Sequence, residues 1–585
     1  MKRVRSGERV YEYLQLVEGR REEGKVRQRV VATLGRVDEL KASGQLDRWA
    51  GALTRLDPPE VDTRRDVGGL LLVRHFLQRL DLAGLVDAAA PMRGRSQLTH
   101  GEVIAALVAN RLSAPSPLYD VAGWASSAAV QELFDTPAGL LNDDRLGRAL
   151  EALAPVAEDV RGALCLAAVG RFDVIDASRL HLDLTTVRFA GAYEDSALVA
   201  KGWGSDRRVA RQVRTLQAAT SNGIALYFRP HKGSTAELSA LGQALERLCA
   251  LLPPGLVVVA DSALGHLGNL CAADRAGTRF VVPLRADTGW AEQFSRDVGE
   301  LAALADLDHV DQHEQRLSPQ GRTRWRGVLR PWQVGDPATK TRHDLRVAYI
   351  WSSEEAASVA DARQRALTKA TDTLTRVRNG LGGHYYKTKK QVDARVAETI
   401  GSHIAGLIHV TTGQDHYGKP TIDWSRDEDA ITDAGRLDGL YALATNLADP
   451  PTGALTALDV LRVYKNQWIV EQRHRDLKQT LRVRPVFLHN DDRIDALVNV
   501  VGIALLIFGL IEADLRARLG RDQTLPGLLP EGRAAKPTGR NILTAFTGLG
   551  LTYTATGPVL DRLTPTQRRI LALLDIPLPW PEGAD

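Results

Sequence analysis

Three acidic residues sit where a folded chain rarely places them, and their chemistry is that of hard-cation binding. Asp183 lies in Arg179-Leu180-His181-Leu182-Asp183-Leu184-Thr185-Thr186, an alternating run with Leu180, Leu182 and Leu184 on one strand face and His181, Asp183 and Thr185 on the other. Aspartate has poor strand propensity and its buried charge is costly, so something must compensate for it there. Asp261 follows Gly255-Leu256-Val257-Val258-Val259-Ala260, which puts it at the carboxyl end of a buried strand, the edge where open α/β sheets bind ligands. Glu471 shares a helical face with Tyr464, Trp468, Arg475 and Lys478. Carboxylates converging from two strands and a helix make an oxygen-rich cage for Mg²⁺ or Mn²⁺. Two such ions about 3.5 to 4 Å apart activate a water or 3′-hydroxyl and stabilise the leaving oxygen of an in-line phosphoryl transfer. Lys478, two turns beyond Glu471, then reaches a phosphate rather than the metal.

Each acid also has an ordinary use. Asp261 suits a helix N-cap, and Glu471 with Arg475 suits an i,i+4 surface pair. Asp173 and Asp176 rival Asp183 but precede its strand. His181, His266 and His474 lack zinc-binding spacing, so they read as ordinary polar residues. Trp290 suits either stacking on a flipped base or an interface. No GxxxxGK[ST] run occurs, which leaves ATP-driven chemistry without support.

The elements that must position these residues can be read from periodicity. Tyr11–Glu18 and Lys25–Leu34 alternate around Glu22-Glu23-Gly24, predicting a basic β-hairpin in region 1–60. Region 61–170 is helical, with Thr99 and Asn142 as caps, and is a candidate helix-turn-helix reader of DNA, although bundle helices share the pattern. From 171 to 289, strands Arg179–Phe189, Val213–Ala219 and Ile224–Arg229 precede a helix from Thr235 to Leu252. Strand Leu256–Ala260, helix His266–Ala276 and strand Arg279–Pro283 follow, which predicts a mixed sheet with parallel strands Val257–Val259 and Phe280–Val282 at its centre. Region 290–436 breaks the rhythm with strands Trp325–Leu329 and Leu345–Trp351, a polar helix Glu354–Arg378 and a lysine-rich turn Lys387–Lys390, as an inserted domain would. In 437–520 the core resumes with strand Gly439–Thr445, one long helix Ala457–Leu481 and a buried apolar helix around Ala496–Ile511. The tail, 521–585, carries a helix capped at Thr564-Pro565.

Composition bounds the partners. The 585 residues carry a net charge of only +4, and 44% hydrophobic with 25% charged residues is a globular balance that excludes wholesale disorder. Local charge is uneven: residues 1–36 hold ten Lys or Arg against five Glu, and residues 462–484 hold seven basic against two acidic groups, which suits a polyanion. Cys165, Cys249 and Cys271 form no CxxC pair, so a reducing, cytoplasmic setting is expected, with no disulfide framework. The basic opening is followed by no signal-like apolar core, and the Ala496–Ile511 run falls short of a bilayer span, so no membrane role is expected.

The run Tyr464-Lys465-Asn466-Gln467-Trp468-Ile469-Val470-Glu471-Gln472-Arg473-His474-Arg475-Asp476-Leu477-Lys478 resembles the Y-x2-R-x3-E-x6-K signature of bacterial insertion-sequence DDE transposases, matching at Tyr464, Glu471 and Lys478. Asp-Leu-Thr-Thr at 183–186, Val-Val-Ala-Asp at 258–261 and Asp-Gly-Leu-Tyr at 438–441 are also similar, as is Gly204-Ser205-Asp206-Arg207, which lacks the family's Lys. The resemblance implies an RNase H-like α/β catalytic domain interrupted by an insertion, with Asp183, Asp261 and Glu471 holding two Mg²⁺ (or Mn²⁺) ions. It implies phosphate contacts by Tyr464 and Lys478 near the transposon end; Gln467, Arg473, Arg475, Arg207 and Trp290 are further candidate DNA contacts. Gln467 departs from the signature's Arg and cannot neutralise a phosphate. The implied partners are the inverted-repeat ends and target DNA, engaged by a homodimer. A transposase-derived protein that only binds DNA, and a two-metal nuclease without strand transfer, are the alternative readings.

Overall fold

Alternation of aromatic and aliphatic with charged residues builds the first strands of the computed structural model. It describes residues 2–6, 9–22, 25–42, 64–92, 94, 96–203, 208–235, 247–248, 251–252, 255–262, 264–311, 314–401, 404–451, 453–465, 468–477, 481, 488–520, 523–554 and 557–583. Two units are distinct: Met1–Arg64 with Leu551–Leu560, and Arg65–Gly550 with Asp561–Asp585. In the first, β1 (Lys2–Ser6), β2 (Arg9–Glu22) and β3 (Lys25–Arg36) form an antiparallel meander, so the predicted hairpin gains a strand in front of it. The expected turn residues Glu23 and Gly24 lie outside the described residues. Arg36 lies 4.1 Å over the Tyr11 ring and pairs with Asp38 as α1 (Val37–Ala42) begins.

The second unit opens with helices α2 (Leu70–Leu80), α3 (Leu82–Ala89), α4 (His100–Ser113), α5 (Asp143–Leu153) and α6 (Ala157–Arg171). Thr99 and Glu102 close a capping box at α4, and Asn142 caps α5, as their residue types predict. Ten of the fourteen α4 residues are buried, among them Val103, Ile104, Leu107 and Arg111.

Next come β4 (Arg179–Arg188), β5 (Ala200–Trp203), β6 (Val209–Thr220), β7 (Ala225–Lys232), β8 (Val257–Val259), α7 (Leu267–Arg275), β9 (Arg279–Pro283) and α8 (Trp290–Asp297). Most of the helix expected over Thr235–Leu252 lies outside the described residues. Then β10 (Ala305–Leu307), β11 (Trp325–Gly335) and β12 (Arg342–Ser352) lead into α9 (Ser353–Asn379), α10 (Lys389–Thr399), β13 (Ile408–Gln414), β14 (Pro420–Arg426) and α11 (Glu428–Gly435). The chain returns through β15 (Leu440–Thr445).

Among the described residues, ten strands form one mixed sheet in the order β10-β11-β12-β15-β9-β8-β4-β6-β5, with β7 also paired to β6. β4, β8 and β9 are parallel neighbours at its centre, so the two apolar runs expected there are joined by a third strand. β11 and β12, expected within an insertion beginning at residue 290, instead extend this sheet, because Arg346–Trp351 pairs with Leu440–Thr445. Only the stretch after Ser352 has a core of its own, with Leu367, Leu374, Val377, Val392, Ile404, Ile408 and Ile422. The stretch rejoins the sheet at Gly439, whose φ of +81° and close approach to Ser352 exclude a side chain. Lys389 and Lys390, expected in a turn, open α10 behind the Thr388 capping box.

The single helix expected over Ala457–Leu481 is described as α12 (Ala457–Tyr464) and α13 (Trp468–Arg475). They pack on different strands, α12 on β9, β11, β12 and β15, and α13 on β4 and β6. The apolar run forms α14 (Asp491–Leu519), which by length and composition could cross a bilayer, yet 94% of its most apolar window is buried in the fold. The tail helix α15 (Pro565–Leu573) has the expected Thr564 cap and amino-terminal proline.

α14 lies against β7 at Gly502, where an added Cβ would sit 2.5 Å from the Phe228 ring. Gly502→Ala should therefore destabilise the protein by about 1–3 kcal/mol through overpacking, read as a lower denaturant midpoint at unchanged slope.

Candidate active site

The parallel pairing of β4 and β8 sets the geometry. Leu180 is in register with Val258 and His181 with Val259, so two residues further along each chain Asp183 and Asp261 stand level beyond the carboxyl end of β8. Asp261 is half-buried, and α7 begins six residues later with His266 in the cap position, so the N-cap use of Asp261 does not apply. Asp183 faces Gln217 across the β4–β6 ladder, accepts the Leu184 amide at 2.7 Å, and lies 3.3 Å from His474 Nδ1 on α13. His474 is thus the compensating partner that a mid-strand aspartate requires. His474 lacks zinc-binding spacing, and its i+3 offset from Glu471 is the signal in the sequence that places it beside the acids.

Glu471 is exposed on α13, and no ion pair joins it to Arg475, so the surface-pair reading falls away. Tyr464 connects the two sides of the site. Its hydroxyl is pushed up to about 12 by burial and then by Asp261, Glu471 and Glu355, so it remains a proton donor at neutral pH. Its ring lies 6.4 Å from that of Tyr441, whose hydroxyl is raised by burial and by Tyr464. The end of α12 is fixed by Lys465, with Nζ 3.2 Å from Asp311 and 4.1 Å over the Trp325 ring. Glu355 and Tyr441 carry no spacing signal that links them to Glu471; only the sheet pairing of β12 and β15 brings them near Tyr464.

The floor beside Asp183 is polar. His181 and Gln217 are fully buried, and among the described residues neither ring nitrogen of His181 nor the Gln217 amide has a hydrogen-bond partner. Burial, with Arg179 nearby, draws His181 down to about 4, so it stays neutral. Among the described residues no three His, Cys, Asp or Glu side chains stand close enough together to hold a metal ion.

The expected DNA-contacting residues separate into three groups. Arg475 is exposed on α13, and Trp290 is partly exposed at the start of α8. Arg207, Gln467 and Lys478 lie outside the described residues. Arg473 is the correction: it is only 2% exposed, donates to the Gly223 carbonyl, and pairs with Asp476 at 2.9 Å and Glu512 at 3.0 Å. Its offset from Glu471 turns it toward α14 and away from solvent.

Residues 1–62 match the family model of the IS1634 family transposase N-terminal domain, and residues 63–159 match a domain of unknown function. Residues 175–507, more than half of the chain, match the transposase DDE domain. No curated protein matches the chain.

Arg473→Met should cost about 3 kcal/mol of stability, because it strands the carboxylates of Glu512 and Asp476 in the interior. Chemical denaturation reads that loss, and DNA affinity at a temperature where the variant is folded should be unchanged.

Proposed function

The chain belongs to the insertion-sequence DDE transposases, and from that membership we propose that it binds the inverted ends of its element, cleaves them and joins the freed 3′-hydroxyl to target DNA. The observation that carries this reading is the β4–β8 register, which levels Asp183 with Asp261, while the charges of Asp261 and Glu471 both raise the Tyr464 hydroxyl. A mixed sheet with a parallel centre, and an excursion between Ser352 and Gly439 before the helix bearing Glu471, support an RNase H-like core with an insertion.

The donor set suits a hard divalent cation: carboxylate oxygens from two adjacent strand ends and a helix, with no thiol among them. Asp183, Asp261 and Glu471 would hold two Mg²⁺ or Mn²⁺ ions, which when bound activate the attacking oxygen and stabilise the leaving one. Asp183 must then exchange its His474 contact for the cation. Tyr464, kept protonated, donates to a phosphate oxygen, and Arg475 with Lys478 neutralises backbone charge. Gln467 supplies hydrogen bonds without charge, Arg207 a further cation, and Trp290 a stacking surface. The basic β1–β3 meander recognises the ends, and because joining two ends takes two sites, the DNA complex is a homodimer acting in the cytoplasm.

The unclosed acid set and Gln467 favour, as a second reading, a protein that binds DNA without cutting it. Labelled element ends in Mg²⁺ separate the two, since binding alone retards DNA and leaves it whole. Cleavage without joining to a second duplex would indicate a nuclease.

Asp183→Asn, Asp261→Asn and Glu471→Gln should each lower cleavage about a thousandfold, a loss of about 4 kcal/mol of transition-state stabilisation, while DNA is still bound. Gel retardation and single-turnover cleavage on the same samples check this. Arg475→Gln should reduce the slope of log affinity against log salt by about 1 and leave stability unchanged.

A further inference from the structure

The amino ends of the central strands form a second charged feature, away from the acids. Arg179 and Arg279 open β4 and β9, and both are in register with Val257 of β8. Residues level on neighbouring strands project to one face, so the two guanidinium groups flank Val257. Together with Arg462 of α12 they line a cleft of about 640 Å³ bounded by the loop from Leu447 to Leu455.

The carboxylates in its wall are already engaged. Asp449 pairs with Arg346 and accepts the Leu455 amide, and Asp459 accepts the amide and hydroxyl of Thr456 in the α12 capping box. Arg179 has its Nε buried without a hydrogen-bond partner, and Asp176 opposes its charge from the preceding loop. Arg279 is exposed and bonds to no carboxylate among the described residues. Planar guanidinium donors around a cleft match the tetrahedral oxygens of a phosphate, which accept bidentate hydrogen bonds.

We propose that this cleft binds a phosphate of the DNA backbone, on the sheet edge opposite Asp183 and Asp261. Four residues separate Arg179 from Asp183 along β4, roughly 13 Å in an extended strand, so the phosphate held here is not the one being cut. The cleft therefore anchors a flanking stretch of backbone or a second duplex, and it rests on the transposase reading for its choice of DNA.

The test uses full-length Arg279→Gln and Arg179→Gln proteins and a labelled duplex carrying an element end, titrated across a salt series. Each variant should bind several-fold more weakly, with a salt slope smaller by about 1, yet cleave saturating DNA at the wild-type rate. Arg279→Lys should restore the slope, because the charge is retained. Thermal melts confirm folding, and the exposed Arg279 keeps the test readable if Arg179→Gln unfolds. Unchanged affinity and slope in Arg279→Gln overturn the proposal. So does inorganic phosphate that raises the melting point of wild type but not of Arg279→Gln while DNA binding is identical, since the cleft would then serve a small anion. If the transposase reading itself fails, the wild type cuts nothing, and the salt slopes still report on the cleft.

Discussion

Parallel pairing between two short strands is the constraint on which the rest depends. β8 is only three residues long, Val257–Val259, yet its hydrogen bonds to β4 on one side and β9 on the other set Asp261, just past its end, level with Asp183 within β4. A slip by one residue would move either aspartate to the opposite face. The apolar filling of this centre, with Leu180, Val258, Val259, Phe280 and Val281 fully buried, is what makes such a slip expensive.

The helix bearing Glu471 is held by a different force. α13 is tied to α14 and to the β6–β7 turn through Arg473, whose guanidinium is shared among Glu512, Asp476 and the Gly223 carbonyl and lies 5.7 Å from the Phe508 ring centre. Arg516 and the Gly539 amide complete the set around Glu512. Arg473, Asp476 and Glu512 each have at least one charged partner, and a paired buried charge network rigidifies the element that carries it. Glu471 itself stays exposed on the same helix.

Much of this was legible in the residues. Continuous apolar runs announced β8 and β9, and cap residues at Thr99, Asn142 and Thr564 marked helix starts that the structure reproduces. What stayed hidden was partnership. Alternation in β11 and β12 says that they are strands but not that their edge meets β15, because pairing across ninety residues leaves no local trace. Helical periodicity ran unbroken through residues 457–481, yet α12 and α13 pack on different strands. Arg473 looked like one more cation in a basic window, and His474 like an ordinary polar residue, until the neighbours of each were known.

The crossing at Ser352 and Gly439 has a consequence for how this architecture varies. The Ser352 amide donates to the Gly439 carbonyl at 3.1 Å, so the long detour through α9, α10, β13, β14 and α11 departs from and comes back to a single point on the sheet edge. Closing a loop costs entropy only with the logarithm of its length, and the detour has a private core, so the sheet is nearly indifferent to its size. Such a junction works as a socket: by this entropy argument a change in the length of what is plugged into it leaves the strand pairing on either side nearly undisturbed.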